Sequence, residues 1–323
     1  MTDHTSIKKI GILVMSYGTP ASMDDIERYY THIRHGRRPS DAELADLTRR
    51  YAAIGGTFPL RDNTAKQVEA LRGLLHARYP GRFDVREGLK HAEPFIEDTV
   101  RAFHEEGLER LAGIVLAPHY STMSVETYLT RAREEAEKYG MESVFVRSYH
   151  DHPLLIQALA ERVEDSVKAL QADHSGQKIK VLFSAHSLPK RILNENDPYV
   201  DELMTTSRLV AEAAGIEDWS FVWQSAGSTR EPWLGPDILE VLPSLKDEGY
   251  ALVLVAPVGF VSEHLEVLYD LDQEALSRGE ELGLTVRRTR MLGTDPRFIE
   301  TLVDKLEEVL GSWLQEEGVS HAL

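Results

Sequence analysis

Short apolar runs rich in β-branched residues alternate with amphipathic stretches along the whole chain, and few folds accept that rhythm. The runs at 10–15, 83–87, 113–117, 143–147, 179–184, 220–224, 251–257 and 284–290 read as strands. Helical patterns lie between them at 24–33, 41–51, 64–77, 94–106, 125–139, 154–170, 236–248 and 297–310. Pro94, Pro153, Pro236 and Pro296 stand where a first helical turn accepts proline, and Gly107, Gly140, Gly215 and Gly249 follow helices as stops. Strands this continuously apolar belong in parallel sheets with helices on both faces. The long helix at 154–170 and the polar stretch at 171–178 divide the strands four and four. The pattern therefore predicts an α/β chain of two similar doubly wound domains, residues 1–150 and 151–323, each a four-stranded parallel sheet flanked by helices. The last helix is free to pack back on the first domain. A chain of 323 residues is also longer than one hydrophobic core usually serves.

Composition narrows the partners. There are 53 acidic against 36 basic residues, a net charge of −17, which is the wrong sign for a nucleic-acid surface. The absence of cysteine excludes disulfides, thiolate zinc sites, a cysteine nucleophile and cysteine-ligated iron–sulfur clusters. The apolar runs are too short to span a bilayer, and MTDHTSIKK has no apolar signal core, so a cytoplasmic location is expected. The polar tail after Trp313 is expected to fray.

In open α/β sheets, ligands bind beyond the C-terminal ends of the strands. Those ends carry Tyr17, His91, His119 and Tyr120 in the first half, and His186, Gln224, Ser225, His264 and Glu266 in the second. His186 can take a proton near neutral pH or ligate a transition metal; the plainer reading is a histidine that caps a helix. Glu266, Asp270 and Glu274 recur every four residues, one carboxylate stripe on a helix. Such a stripe is usually a solvated face, but unpaired like charges at this spacing repel and invite a cation. His264, two residues from Glu266, is expected to face elsewhere. Arg34, Arg37, Arg38, Arg49 and Arg50 crowd one short region of an acidic chain, and arginine's planar fork suits carboxylates. Tyr17 could be a ligand or could merely satisfy a turn.

Four segments resemble the ferrochelatase family: RYAAIGGTFPL at 50–60, SAHSLP at 184–189, WQSAGSTREPWLGP at 223–236 and PVGFVSEHLEVLYD at 257–270. GLKHAEPFIED and VLAPHYSTMSVETY are similar as well, so the resemblance covers nearly the whole chain. Tyr17 in VMSYGTP resembles the Firmicute and actinobacterial branch that acts on coproporphyrin III. The resemblance implies insertion of ferrous iron into that tetra-acid in haem synthesis, with iron as substrate and no tightly bound cofactor. It implies His186 and Glu266 as the catalytic and inner metal pair, Asp270 and Glu274 as an outer relay on a partly π-helical segment, and Tyr17 as axial ligand of the product iron. It also implies substrate carboxylates on Arg34, Arg50, Tyr51 and Tyr128. Where the family loop has serine this chain has Phe58, so that either Thr57 replaces the serine's contact to a substrate carboxylate or the contact is absent. Transient contact with neighbouring haem-pathway enzymes would follow. The alternatives are a protoporphyrin ferrochelatase or another tetrapyrrole chelatase, and a carrier that binds pigment without metallating it.

Overall fold

The strands sort into two four-stranded parallel sheets, β2-β1-β3-β4 and β6-β5-β7-β8, in the computed structural model, which describes residues 9–227 and 229–315. The first sheet comprises β1 (Ile10–Ser16), β2 (Phe83–Leu89), β3 (Arg110–Val115) and β4 (Glu142–Phe145). The second comprises β5 (Ile179–His186), β6 (Trp219–Gln224), β7 (Leu252–Ala256) and β8 (Thr285–Arg288). Both sheets have a first-built strand near the middle with the order reversing beside it, so each has its own switch point. The expectation of two four-stranded α/β units is met.

The helices are α1 (Ile26–Ile33), α2 (Asp41–Ala53), α3 (Pro59–Arg78), α4 (Ile96–Glu105), α5 (Val125–Lys138), α6 (Pro153–Asp173), α7 (Tyr199–Ala214), α8 (Ile238–Asp247), α9 (Leu276–Leu282) and α10 (Pro296–Leu310), with a π-helix at Val267–Ala275. Pro153 and Pro296 do open α6 and α10. Pro94 and Pro236 do not open helices. Each lies just ahead of an N-cap, Phe95 for α4 and Asp237 for α8, after a cis peptide bond. In α8 the cap is chemical: Asp237 accepts from Leu239 N and Glu240 reaches back to Asp237 N.

Helices α4 and α5 bury Val100, Phe103, Leu129 and Ala132 on one face of the first sheet, against Leu13, Met15 and Leu111. The π-helix, α8 and α9 cover the outer face of the second sheet, around Leu182, Val253 and Val255. The inner faces share one continuous core running from Ile12 and Ile114 through Leu71, Leu159 and Phe298 to Phe183 and Leu254. Helix α10, last in the chain, packs on α3, α6, β3 and β4.

Two glycines allow the close approaches the strand ends need. Gly18 has φ +87°, and a Cβ there would lie 2.9 Å from Ala92 Cβ. Gly259 brings the turn after β7 against β5, where a Cβ would lie 2.4 Å from Ala185 Cβ, one residue before His186. The N-terminal segment 1–8 and most of the tail after Trp313 lie outside the described residues. Among the described residues no helix is long and apolar enough to cross a membrane.

Candidate active site

The C-terminal ends of β1, β5 and β7 open on one crevice between the halves. The charge of Glu266, after β7, is felt by the phenols of Tyr17, Tyr29, Tyr51 and Tyr128 in the first half and Tyr199 in the second. A separate groove of about 690 Å³ flanks edge strand β2, lined by Lys66 and by Arg72 and Arg86, which are paired with Glu69, Asp84 and Glu106. It holds no comparable cluster.

His186 is the last residue of β5, and its neighbours lock it from behind. Ser187 N donates to Gln224 O at 2.8 Å, Ser187 Oγ donates to Leu234 O at 2.8 Å, and the Tyr199 hydroxyl donates to His186 O at 3.0 Å. Its Nδ1 meets the Ser187 carbonyl, and its Nε2 lies 3.4 Å from Glu266 Oε1. Burial works against a charged imidazole, but the Glu266 carboxylate outweighs it and lifts the His186 pKa to about 9. The pair therefore favours a protonated His186 near neutral pH.

Glu266 is held from three directions. Buried Gln224 accepts from Ser184 Oγ at 2.9 Å and donates to the Glu266 backbone carbonyl at 3.2 Å. His264 does not face elsewhere, since its Nε2 stands 3.5 Å from Glu266 Oε2. Burial pushes the carboxyl up, yet His186 and His264 together hold it well below the usual carboxylate range. Both His186 and Glu266 keep about a third of their side chains open to the crevice, 32% and 37%.

Further along the π-helix, Asp270 is 6% exposed. It accepts from Ser225 Oγ, whose backbone is held at φ +60°, and lies 3.5 Å from Arg50 Nη1 of the other half. Its Oδ1 has no hydrogen-bond partner. Burial, and next the charge of Glu266, raise its pKa to about 7. Glu274 is the next stripe position, at the end of the π-helix. Among the described residues no group of three or more histidine or carboxylate side chains converges as a metal cage.

The facing wall differs. Tyr17 is 41% exposed, its ring 4.6 Å from that of His91, and its hydroxyl has no hydrogen-bond partner among the described residues. Burial of the hydroxyl's surroundings and the Glu266 charge both push its ionisation up. Lys90, which sequence reasoning passed over although GLKH was quoted, lies over the Tyr128 ring at 4.7 Å and donates to Thr127 Oγ1 at 2.7 Å. Burial, then Arg131, pulls its pKa down to about 8, and no carboxylate pairs with it. Its signal was a lone lysine at a strand end.

The remaining candidates scatter. Arg34 pairs with Glu43 and leaves a buried Nε unpartnered. Arg50 bonds Asp46 at 2.9 Å and, with Arg49, covers the Tyr269 ring. Tyr51 shares a 3.1 Å hydrogen bond with Thr19, and burial pushes its pKa up to about 12. The Thr57 hydroxyl donates to Ile54 O at 3.1 Å, while Phe58 lies against the Tyr51 ring.

A family model described as Ferrochelatase matches residues 9–310. The chain is 46% identical over 298 residues to a protein of Geobacillus sp. (strain WCH70) named coproporphyrin III ferrochelatase, covering 91% of this chain and 96% of that one. It is 45% identical over 318 residues to one of the same name from Anoxybacillus flavithermus (strain DSM 21510 / WK1), covering 98% and 99%. Among solved structures it resembles "SirB from Bacillus subtilis with Fe3+", with a TM-score of 0.59, 12% identity and coverage of 95% and 98%, a likeness of fold alone.

Proposed function

This chain belongs to the ferrochelatase family, and on that premise we propose that it inserts ferrous iron into coproporphyrin III as a step in haem synthesis. The observation that carries the reading is the His186–Glu266 pair, 3.4 Å apart, standing across the crevice from Tyr17. The reaction exchanges one ferrous ion for two pyrrole protons, so the site needs an anion for the metal and bases for the protons. Glu266 is ionised throughout the neutral range and supplies the anion. When iron takes that charge, the stabilisation of the His186 proton is gone and the imidazole releases it, becoming a donor to the metal. Once the macrocycle's nitrogens take the iron from them, the freed imidazole and carboxylate can accept its two pyrrole protons.

Asp270 and Glu274 form the approach. A carboxyl poised near pH 7 can trade its proton for a passing cation at little cost. Arg34, Arg50, Tyr51, Tyr128 and Lys90 take the substrate's carboxylates, each charge-assisted contact contributing about 1.5–3 kcal/mol where water is excluded. Thr57 serves only if its hydroxyl turns away from Ile54. Four acids on the substrate, rather than two, would engage more of these five donors. Tyr17 would then ligate the iron of the product, its phenolic proton passing to solvent as the metal's charge offsets that of Glu266. The enzyme would be a lyase-class chelatase of the cytoplasm, with no resident cofactor, handing its product to a neighbouring haem-pathway enzyme by transient contact.

Anaerobic absorbance with ferrous iron and free coproporphyrin III tests the reading. Replacement of the free-base visible bands by those of the iron complex, faster with protein than without, is the expected result. A carrier would shift the bands on binding and leave the rate of metallation unchanged.

A further inference from the structure

We infer that Arg288 and Asn63 are positioning residues for the metal wall: they pin Glu263 and so hold the stretch 263–272 in the register that presents Glu266 and Asp270 to the crevice. The inference rests on the reading above. Arg288, the last residue of β8, spends both edges of its guanidinium on this one segment. It donates to the Glu263 carboxylate at 3.1 and 2.9 Å and to the Asp272 carboxylate at 2.6 and 2.8 Å. Its side chain is 14% exposed, so water competes weakly for these bonds. From the other half, Asn63 Nδ2 on α3 donates to the Glu263 backbone carbonyl at 2.9 Å. One turn along α3, Gln67 Nε2 donates to Gly293 O at 2.9 Å, and Gly293 N in turn donates to Val261 O at 2.9 Å.

The clasp encloses the chemistry without touching it. Glu263 precedes Glu266 by less than a helical turn, and Asp272 follows Asp270 on a different face from the 266/270/274 stripe. A π-helix is rare and is mostly limited to a single turn inside an α-helix, so local sequence is a weak reason for one of nine residues to persist. Tying residues from either end of the stretch to one guanidinium supplies that reason. It penalises any shift of register, because the shift would carry Asp272 off Arg288. The His186–Glu266 distance joins residues after two different strands, β5 and β7. The clasp from β8 and the amide from α3 fix the second of these relative to the first.

The variants are Arg288→Met, Arg288→Lys and Asn63→Leu. The readouts are kcat and the apparent KM for ferrous iron, the coproporphyrin III dissociation constant, the visible absorption of Co2+ added without porphyrin, and the melting temperature. Arg288→Met should raise the KM for iron about tenfold or more and alter the Co2+ bands, with porphyrin affinity within about twofold of the parent. Arg288→Lys, which keeps the charge and loses the fork, should fall between. Asn63→Leu should move the same two readouts less, at nearly the parent's melting temperature, and decides the question if Arg288→Met fails to fold. Folded variants with the parent's Co2+ bands and KM for iron would overturn the inference, as would a loss confined to kcat. If the parent itself failed to metallate coproporphyrin, the functional reading would fall, while the Co2+ bands would still decide the clasp.

Discussion

The two walls of the crevice share one strand–helix plan and differ in how their charges are settled. In the second half almost every charged group already has a partner. Glu266 stands between two histidines, Asp270 between Ser225 and Arg50, and Arg288 between two carboxylates. In the first half, among the described residues, Lys90 has only a threonine hydroxyl and aromatic faces, and Tyr17 has no hydrogen-bond partner. His91 is pushed by burial, and next by Lys90, to about 3, so it adds no charge. A wall built for a small dication prearranges its anion, because an unpaired buried carboxylate would take up a proton instead. The wall assigned to a large organic anion holds Arg34, Arg50 and Tyr51 in contacts a guest must share, and keeps Lys90 without a carboxylate among the described residues.

The sharpest way to break that contrast is His186→Ala. It should slow metallation by about a thousandfold, in the range for removing a positioned acid–base group, and leave coproporphyrin binding within a few-fold. Stopped-flow metallation and fluorescence quenching read the two separately, and near-parent turnover would remove His186 from the chemistry. Glu266→Gln should come next, costing about a hundredfold in kcat. Asp270→Asn and Glu274→Gln should chiefly raise the KM for iron, and equal kcat losses in all three would show that the stripe is not graded. On the other wall, Lys90→Glu or Arg34→Glu should weaken coproporphyrin III binding roughly tenfold, about the free energy of one charge-assisted contact, without altering Co2+ binding. Added salt should reduce binding to the parent more than to the variants. Tyr17→Phe should leave turnover within a few-fold while the ferric product loses its oxygen-donor charge-transfer band, as resonance Raman would report. An unchanged spectrum would end the axial-ligand assignment.

The smallest expected effect lies where the halves are joined. His119, buried after β3, sits 2.8 Å from Thr206 of α7, and burial, then the charge of His150, lowers its pKa to about 3. The unfolded chain binds a proton near pH 6.5 that the folded chain refuses. This contribution to stability is therefore complete above 6.5 and is lost as pH falls toward 3. Nearby Glu202, raised by burial, has the opposite sign and softens the loss. The melting temperature should drop between pH 6.5 and 4 less steeply in His119→Gln than in the parent.

The sheets were legible because buried parallel strands announce themselves as apolar runs, and ligand sites follow from strand ends. Position offered Tyr17, His186 and Glu266 among nine strand-end residues, and the family resemblance alone set these three apart. What escaped depends on contacts between distant segments. His264 was assigned away from Glu266 by helical spacing, but the helix begins only at Leu265, so His264 precedes it and its ring comes round to the carboxylate. Arg50 looked like a cation awaiting a substrate, and no local pattern reveals that Asp270 and Tyr269 of the other half reach it first. The helix α7 was marked only at its end, by Gly215, because a polar stretch punctuated by Asp197 and Pro198 masks its start.

The position of α10 bears on how the chain is made. Facing the second sheet, β2 is covered by α3, but β3 and β4 meet their cover in α10 (Pro296–Leu310). Translation at about 5–20 residues per second needs on the order of ten seconds or more to travel from β4 to that helix. Throughout that interval the nascent first half presents an apolar face around Ala112, Ile114 and Val144 that its own residues leave uncovered. The half synthesised first is thus the half completed last, and a ribosome stalled before residue 296 would hold an adhesive intermediate rather than a finished N-terminal domain.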